Sequence, residues 1–259
     1  MSNGFFTFQT GEATHRGCVR DHNEDALLSL PGSGVWAVAD GMGGHQAGDY
    51  ASQTIVEDLR SVGMPGSAHD LQARFMERLD RAHHRIVEHA MRIGGGTVGA
   101  TLVALLIFED AYACVWAGDS RLYLLRGGKL TRVSQDHTEV QELLNSGAIT
   151  PEEAIHWPRR NVITRAIGVT DPAACDVVSG TLQEGDRFLL CSDGVTEHNR
   201  DHDLAAMLSN GFGDPQAVSD AIIQRTLAEG ARDNTTAIVV DCYARTEAMV
   251  DETTGLWET

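Results

Sequence analysis

Short unbroken apolar runs alternate with longer amphipathic stretches along this chain. Val35-Trp36-Ala37-Val38-Ala39 stops abruptly at Asp40-Gly41-Met42-Gly43-Gly44, the pattern of a buried strand ending in a glycine-rich loop. Apolar positions then take helical spacing. Ala47, Ala51, Ile55 and Leu59 predict a helix over about 47–61, and Leu71, Phe75, Leu79, Ala82, Ile86 and Ala90 predict a second over about 68–91. Pro65-Gly66 separates the two, and Gly94-Gly95-Gly96 ends the second. The character changes again at Thr97. Runs at 97–108, 111–117, 121–125 and 130–133, divided by turn signals such as Gly127-Gly128, predict a meander of antiparallel strands. Residues 137–168 are mixed, with a short helix expected over about 139–146 and irregular chain past Pro151 and Pro158. Phe188–Cys191 is another buried strand, again halted by Ser192-Asp193-Gly194. Helices near 201–208 and 215–228 and a strand over 235–240 complete the pattern. Two helix pairs interleaved with two sets of strands imply an α+β chain layered helix–sheet–sheet–helix around one core.

Composition narrows the function classes. Apolar residues are 42% of the 259, enough for a sizeable core, and no linker or repeat divides the chain. Acidic residues outnumber basic ones 37 to 20, a formal charge of −17, which repels phosphate backbones and anionic membranes. Neither nucleic acid nor a membrane is an expected partner. Cys18, Cys114, Cys175, Cys191 and Cys242 are odd in number, widely spaced and form no C-x-x-C. They read as small buried hydrophobes in a reducing compartment rather than as a zinc or disulfide framework. With no basic, apolar leader at Met1–Thr10 and no apolar stretch near the ~20 residues of a membrane span, a free-standing, cytoplasmic, monomeric protein is expected. Residues 245–259 read as a mobile acidic tail.

Candidate chemistry lies where apolar runs meet aspartates: Ala39-Asp40-Gly41, Gly118-Asp119-Ser120, Cys191-Ser192-Asp193-Gly194, and Asp233-Asn234 just ahead of the last strand. Each alone is an ordinary turn or cap residue. Converging on one rim, they would repel each other unless a hard cation neutralised them, and carboxylate oxygens suit Mg²⁺ or Mn²⁺.

The motifs around these aspartates also resemble a known family. Gly17-Cys18-Val19-Arg20-Asp21-His22-Asn23-Glu24-Asp25 is similar to the opening motif of the metal-dependent serine/threonine protein phosphatases, the protein phosphatase 2C or PPM family, and Ala39–His45 to the bacterial form of its second motif. The likeness continues through Gly96–Thr101, Trp116–Arg121, Ser134–Thr138, Ile163–Gly168, Leu190–Gly194 and Arg232–Thr236, covering about residues 15–241 in the family's order. It implies a four-layer α-β-β-α sandwich of two antiparallel sheets flanked by helices, occupying residues 1–244, with 137–168 as a flap beside the active site. Mn²⁺ or Mg²⁺ is the implied cofactor. Asp40 would bridge two metals, the Gly41 carbonyl would bind one of them, and Asp193 and Asp233 would hold the second. Glu24 and Asp25 would lie close by, and Asp119 with Asp193 would hold a weaker third metal. Arg20 would clamp phosphate through its guanidinium fork. A water shared by the metals would attack phosphorus in line with the leaving serine or threonine oxygen. The implied partners are phosphorylated proteins and an opposing serine/threonine kinase. Met42 stands where eukaryotic relatives carry the histidine that looks like the leaving-group acid, which leaves His45 as the candidate.

Other signals fail. Asp21-x-Asn23-x-Asp25 lacks the glycine and glutamate of a calcium loop, having Ala26 and Gly32 at those places. Gly43-x4-Gly48 runs on into Asp49-Tyr50 rather than Lys-Ser/Thr. Among Arg81 and Arg85, His83, His84 and His89 read as a solvated helix face, and His198 and His202 as loop and cap residues. Two rivals compete with the phosphatase reading: a dead relative acting as a binding module, which retention of Asp25, Asp40, Asp119, Asp193 and Asp233 disfavours, and another metal-dependent phosphohydrolase acting on small phosphoesters or nucleic acid, the latter disfavoured by the acidic charge.

Overall fold

The computed structural model describes residues 6–43, 47–169, 173–209 and 214–245. Two antiparallel sheets stack face to face. One holds, in spatial order, β1 (Phe6–His15), β11 (Thr235–Ala244), β10 (Arg187–Cys191), β7 (Arg121–Arg126) and β8 (Lys129–Arg132). The other holds β2 (Asp25–Leu30), β3 (Val35–Met42), β5 (Leu102–Phe108), β6 (Ala111–Ala117) and β9 (Asp176–Thr181), with β4 (Gly99–Ala100) paired to β3. Helices α1 (Ala47–Leu59) and α2 (Ala68–Arg92) cover the second sheet, and α6 (Asp201–Ser209) and α7 (Pro215–Ala228) cover the first. The α-β-β-α sandwich expected from the motifs is therefore present.

The central strands of each sheet are buried on both faces, which is why they read as continuous apolar runs rather than alternating ones. Along β3, Trp36 and Val38 enter the inter-sheet core while Val35, Ala37 and Ala39 face α1 and α2. Along β10, Phe188 and Leu190 point between the sheets, and Leu189 and Cys191 meet α6 and α7. This period of two assigns every residue of a run to one of three apolar layers.

Several local expectations need correction. Residues past Pro151 are not irregular throughout: Pro151–Ile155 forms α4, started by a capping box in which Thr150 and Glu153 satisfy each other's backbone N–H. The run 97–108 breaks at Thr101, whose N–H turns to the Asp40 carbonyl at 2.8 Å. His83 is not on a solvated face. It is buried, and its Nδ1 accepts from the Gly168 N–H at 3.0 Å. Cys114, Cys191 and Cys242 are buried as expected, but Cys18 is exposed. The tail lies outside the described residues beyond 245, and no described helix is long and apolar enough to cross a membrane.

Candidate metal centre

Strand ends from both sheets meet at one rim of the sandwich, and hydroxyl and amide side chains lock them together. Asp25 opens β2 directly opposite Asp40 of β3. Its Oδ2 accepts from Ser192 Oγ at 2.8 Å and from Thr236 Oγ1 at 2.7 Å, so one buried carboxylate ties the two sheets together. Asn234 fixes the loop before β2: its Oδ1 accepts from the Glu24 N–H at 2.7 Å, and its amide donates to the carbonyls of Arg16 (3.0 Å) and His22 (2.9 Å). Gly41 lies where two backbones almost touch, since a Cβ there would meet the Gly48 carbonyl oxygen at 2.2 Å. Asp119 follows β6 and precedes Ser120, whose hydroxyl pairs with Thr101 at 2.7 Å. Asp193 begins α5 (Asp193–Thr196) immediately after β10.

The centre is electrostatically strained. Burial first, and then neighbouring carboxylates, push the Asp25 carboxyl up to about 7 and that of Asp193 up to about 6. Burial likewise raises Asp40 and Asp119 well above the usual carboxylate range. Asp40 feels Asp25, Asp193, Asp119 and Asp233, and Asp119 feels Asp193 and Asp136. Glu24 is raised for the same reason, with Arg20 opposing. Four buried carboxylate oxygens at this rim, Glu24 Oε1, Asp25 Oδ1, Asp119 Oδ1 and Asp193 Oδ1, have no hydrogen-bond partner among the described residues. Orphaned anionic oxygens are costly in a folded protein. Hard and unpaired, these donors have the chemistry that suits divalent Mn²⁺ or Mg²⁺, although among the described residues no three of them stand close enough to enclose an ion.

Arg20 is exposed, and its Nη2 pairs with Asp233 Oδ2 at 2.6 Å, which raises the guanidinium's own pKa. The structure thus gathers Arg20, Glu24, Asp25, Asp40, Gly41, Asp119, Asp193 and Asp233 at one rim. His45 lies outside the described residues.

Beside the carboxylates opens a cleft of about 370 Å³. Asp119, Asp193 and Glu197 line its acidic end, and α3 (Glu139–Asn145) and α4 bound it with Val140, Leu144 and Ile155. Segment 137–168 is pinned at its neck by the Thr138–Ile163 bridge and meets α5 where Asn161 Nδ2 donates to Glu197 Oε1 at 2.9 Å. The residues that sequence reasoning left without a role are the braces Ser192, Thr236, Asn234 and Thr101, together with His137. All stand inside or beside the quoted motifs, but nothing in their spacing reveals a partner on another strand.

An α-β-β-α sandwich with buried, mutually repelling carboxyls at the sheet rim is the class this geometry defines. The chain matches the Protein phosphatase 2C family model over residues 15–238, and it belongs to that family. It is 36% identical over 244 residues to the serine/threonine protein phosphatase PstP of Mycobacterium tuberculosis, a match covering 91% of this chain and 46% of PstP. The chain thus spans about half the length of that relative. The structure of PppA, a regulatory component of the T6SS in Pseudomonas aeruginosa, superposes with a TM-score of 0.85 at 40% identity, covering 92% of this chain and 98% of PppA. The catalytic domain of PstP in complex with two manganese ions superposes with a TM-score of 0.79 at 32% identity, covering 92% and 99%.

Proposed function

We propose that this chain is a Mn²⁺- or Mg²⁺-dependent protein phosphatase that hydrolyses phosphoserine and phosphothreonine. The observation that carries the reading is the set of buried, unpartnered carboxylate oxygens at the sheet rim. The family membership and the two manganese ions in the PstP catalytic domain support it. Asp40, the Gly41 carbonyl, Asp193 and Asp233 are the residues that would hold two cations, with Glu24 and Asp25 adjacent and Asp119 with Asp193 as a third position. Such cations supply Lewis acidity toward the phosphoryl group and lower the pKa of water at neutral pH.

The chain's own residues supply the rest. Asp25, held by Ser192 and Thr236, fixes the spacing of the two sheets and hence of the ligands they carry. Arg20 stands at the exposed side of the centre, where its fork can take two phosphoryl oxygens. Attack of water forms a new P–O bond as the bond to the side-chain oxygen breaks, and that oxygen gains a proton, for which His45 is the candidate donor. The cleft beside Asp119 and Asp193 would receive the chain flanking the phosphorylated residue, making segment 137–168 a substrate-facing flap in a catalytic domain of residues 1–244. We assign the substrates to phosphorylated proteins of a serine/threonine kinase system, the location to the cytoplasm and the working unit to a monomer.

Phosphate release from a phosphothreonine peptide, measured with Mn²⁺, Mg²⁺ or EDTA for wild type and Asp193→Asn, tests the proposal. Turnover should require the divalent ion and collapse in the variant. Folded protein with no turnover under either metal would sink it.

A further inference from the structure

Segment 137–168 enters and leaves the body of the protein at one point, and His137 stands there. Its N–H donates to the Gly118 carbonyl at 2.9 Å, and its own carbonyl accepts from the Thr164 N–H at 2.8 Å, where the segment returns. The side chain bends back to the same glycine, and Nδ1 accepts from the Gly118 N–H at 3.2 Å. A backbone amide can only donate, so Nε2 carries the imidazole proton and gives it to Asp176 Oδ2 at 3.1 Å. Asp176 is held in turn by Arg165 Nη1 at 2.7 Å, also on the returning chain. Trp116 stacks on the imidazole at 5.8 Å between ring centroids and sends its indole N–H to the Gln135 carbonyl at 2.7 Å. The ring has little freedom left, and its side chain is only 8% exposed.

One residue therefore takes both polar groups of Gly118, the residue before Asp119. Gly118 has φ +109°, and a Cβ there would strike Thr101 at 2.6 Å, so this turn is tight on its other side as well. Asp119, between Gly118 and the Thr101-bonded Ser120, presents a buried oxygen with no partner among the described residues.

We propose that His137 is a positioning residue for Asp119: it holds both polar groups of Gly118 while the returning chain holds it, through Thr164 directly and Arg165 by way of Asp176, so the aim of the Asp119 carboxylate depends on how segment 137–168 is seated. The inference rests on Asp119 being a cation ligand. His137 itself touches neither cation nor substrate. Residues that orient a ligand from behind commonly change metal affinity by about 10–100-fold when removed.

His137→Asn and His137→Gln separate its two side-chain contacts. Asparagine sets its amide oxygen near the place of Nδ1 and keeps an acceptor for Gly118. Glutamine reaches toward Asp176 and leaves the Gly118 N–H unanswered. Each is titrated with Mn²⁺ by calorimetry beside wild type and Asp119→Ala, and the metal-free proteins are digested with trypsin, which can cut the segment after Arg159 or Arg160. The Gln variant should lose about 10–100-fold in the binding step that Asp119→Ala removes and be cut faster within the segment, while the Asn variant stays near wild type in both. Asp176→Ala, a change at a half-exposed side chain that keeps the histidine, should weaken the same step in the same direction. It supplies the answer if the His137 variants do not fold. A Gln or Ala isotherm that superposes on wild type, with only a lower melting temperature, overturns the inference. A wild type that binds no Mn²⁺, or Asp119→Ala binding as wild type does, overturns the reading of Asp119 and the inference with it.

Discussion

Replacing Asp193 by Asn should stabilise the metal-free protein while abolishing its response to Mn²⁺. Burial and the charges of Glu197 and Asp233 raise the Asp193 carboxyl from 3.8 to about 6. A folded-state pKa above the unfolded one means that the folded chain binds the proton more tightly, so stability is full below about pH 4 and falls as pH rises. For Asp193 that fall is complete just above pH 6, and for Asp25, raised to about 7, just above pH 7. At ~1.4 kcal/mol per tenfold change in proton affinity, the Asp193 charge costs at most about 3 kcal/mol at pH 8. Sharing of charge with Asp40 and access of water at the rim reduce the expected recovery to about 1–2 kcal/mol. Asparagine removes the charge, keeps the shape and offers an amide hydrogen to Asp40. For a domain of this size that is a rise of about 2–8 °C in Tm.

Scanning calorimetry in EDTA from pH 4.5 to 8 reads the effect. The gain should be small at pH 4.5 and full by pH 7. Adding Mn²⁺ to about 100 times its Kd should then stabilise wild type by about 2.7 kcal/mol, with little gain in the variant. A variant less stable than wild type in EDTA at pH 8 would refute the reasoning, because Asp193 would then be making a favourable structural contact and not waiting for a cation.

Three other perturbations test separate parts of the structure. Arg187 and Asp241 form a buried bidentate pair at 2.5 and 2.7 Å, with Arg187 Nη1 also donating to the Leu208 carbonyl; Arg187→Ala should cost about 3–5 kcal/mol in urea unfolding, and Arg187→Met with Asp241→Leu should recover most of it. Ser192→Ala removes one of the two hydroxyl donors to the buried Asp25 carboxylate and should cost about 1–3 kcal/mol in the same assay. Arg20→Gln should raise the phosphopeptide KM and the phosphate inhibition constant about 10–100-fold. It should leave Mn²⁺ affinity equal or tighter by calorimetry, since the guanidinium no longer holds Asp233.

The strands legible in the sequence are β3, β5, β6, β7, β8, β10 and β11; most are buried runs with few polar positions to blur them, and β8, a part-exposed edge strand, is marked instead by the Gly127-Gly128 turn before it. β1, β2 and β9 escaped for the opposite reason. Each lies at a sheet edge, and most β9 side chains are exposed, so polar residues such as Gln9, Glu12 and Ser179 interrupt the pattern. The aspartates were legible because an acidic residue ending an apolar run is visible within five residues. Their braces were not: Ser192 and Thr236 reach Asp25 across 167 and 211 positions, and His83 reaches Gly168 across 85. Only the folded chain brings those partners together.

That division has a physical basis. Carboxylates at strand ends could relieve their repulsion by drifting toward solvent. Asp25 is kept from doing so by two hydroxyls and Glu24 by Asn234, while Gly118, beside Asp119, is held between Thr101 and His137. The braces make no charge compensation of their own; among the described residues four carboxyl oxygens at this rim remain buried and unpaired after every one of these bonds is formed. The folding free energy of the sandwich thus keeps these carboxyls buried together against their mutual repulsion. On the proposed reading of these carboxylates as cation ligands, a donor set held in this way loses little conformational entropy on binding, and the braces should govern metal affinity as strongly as the number of aspartates does.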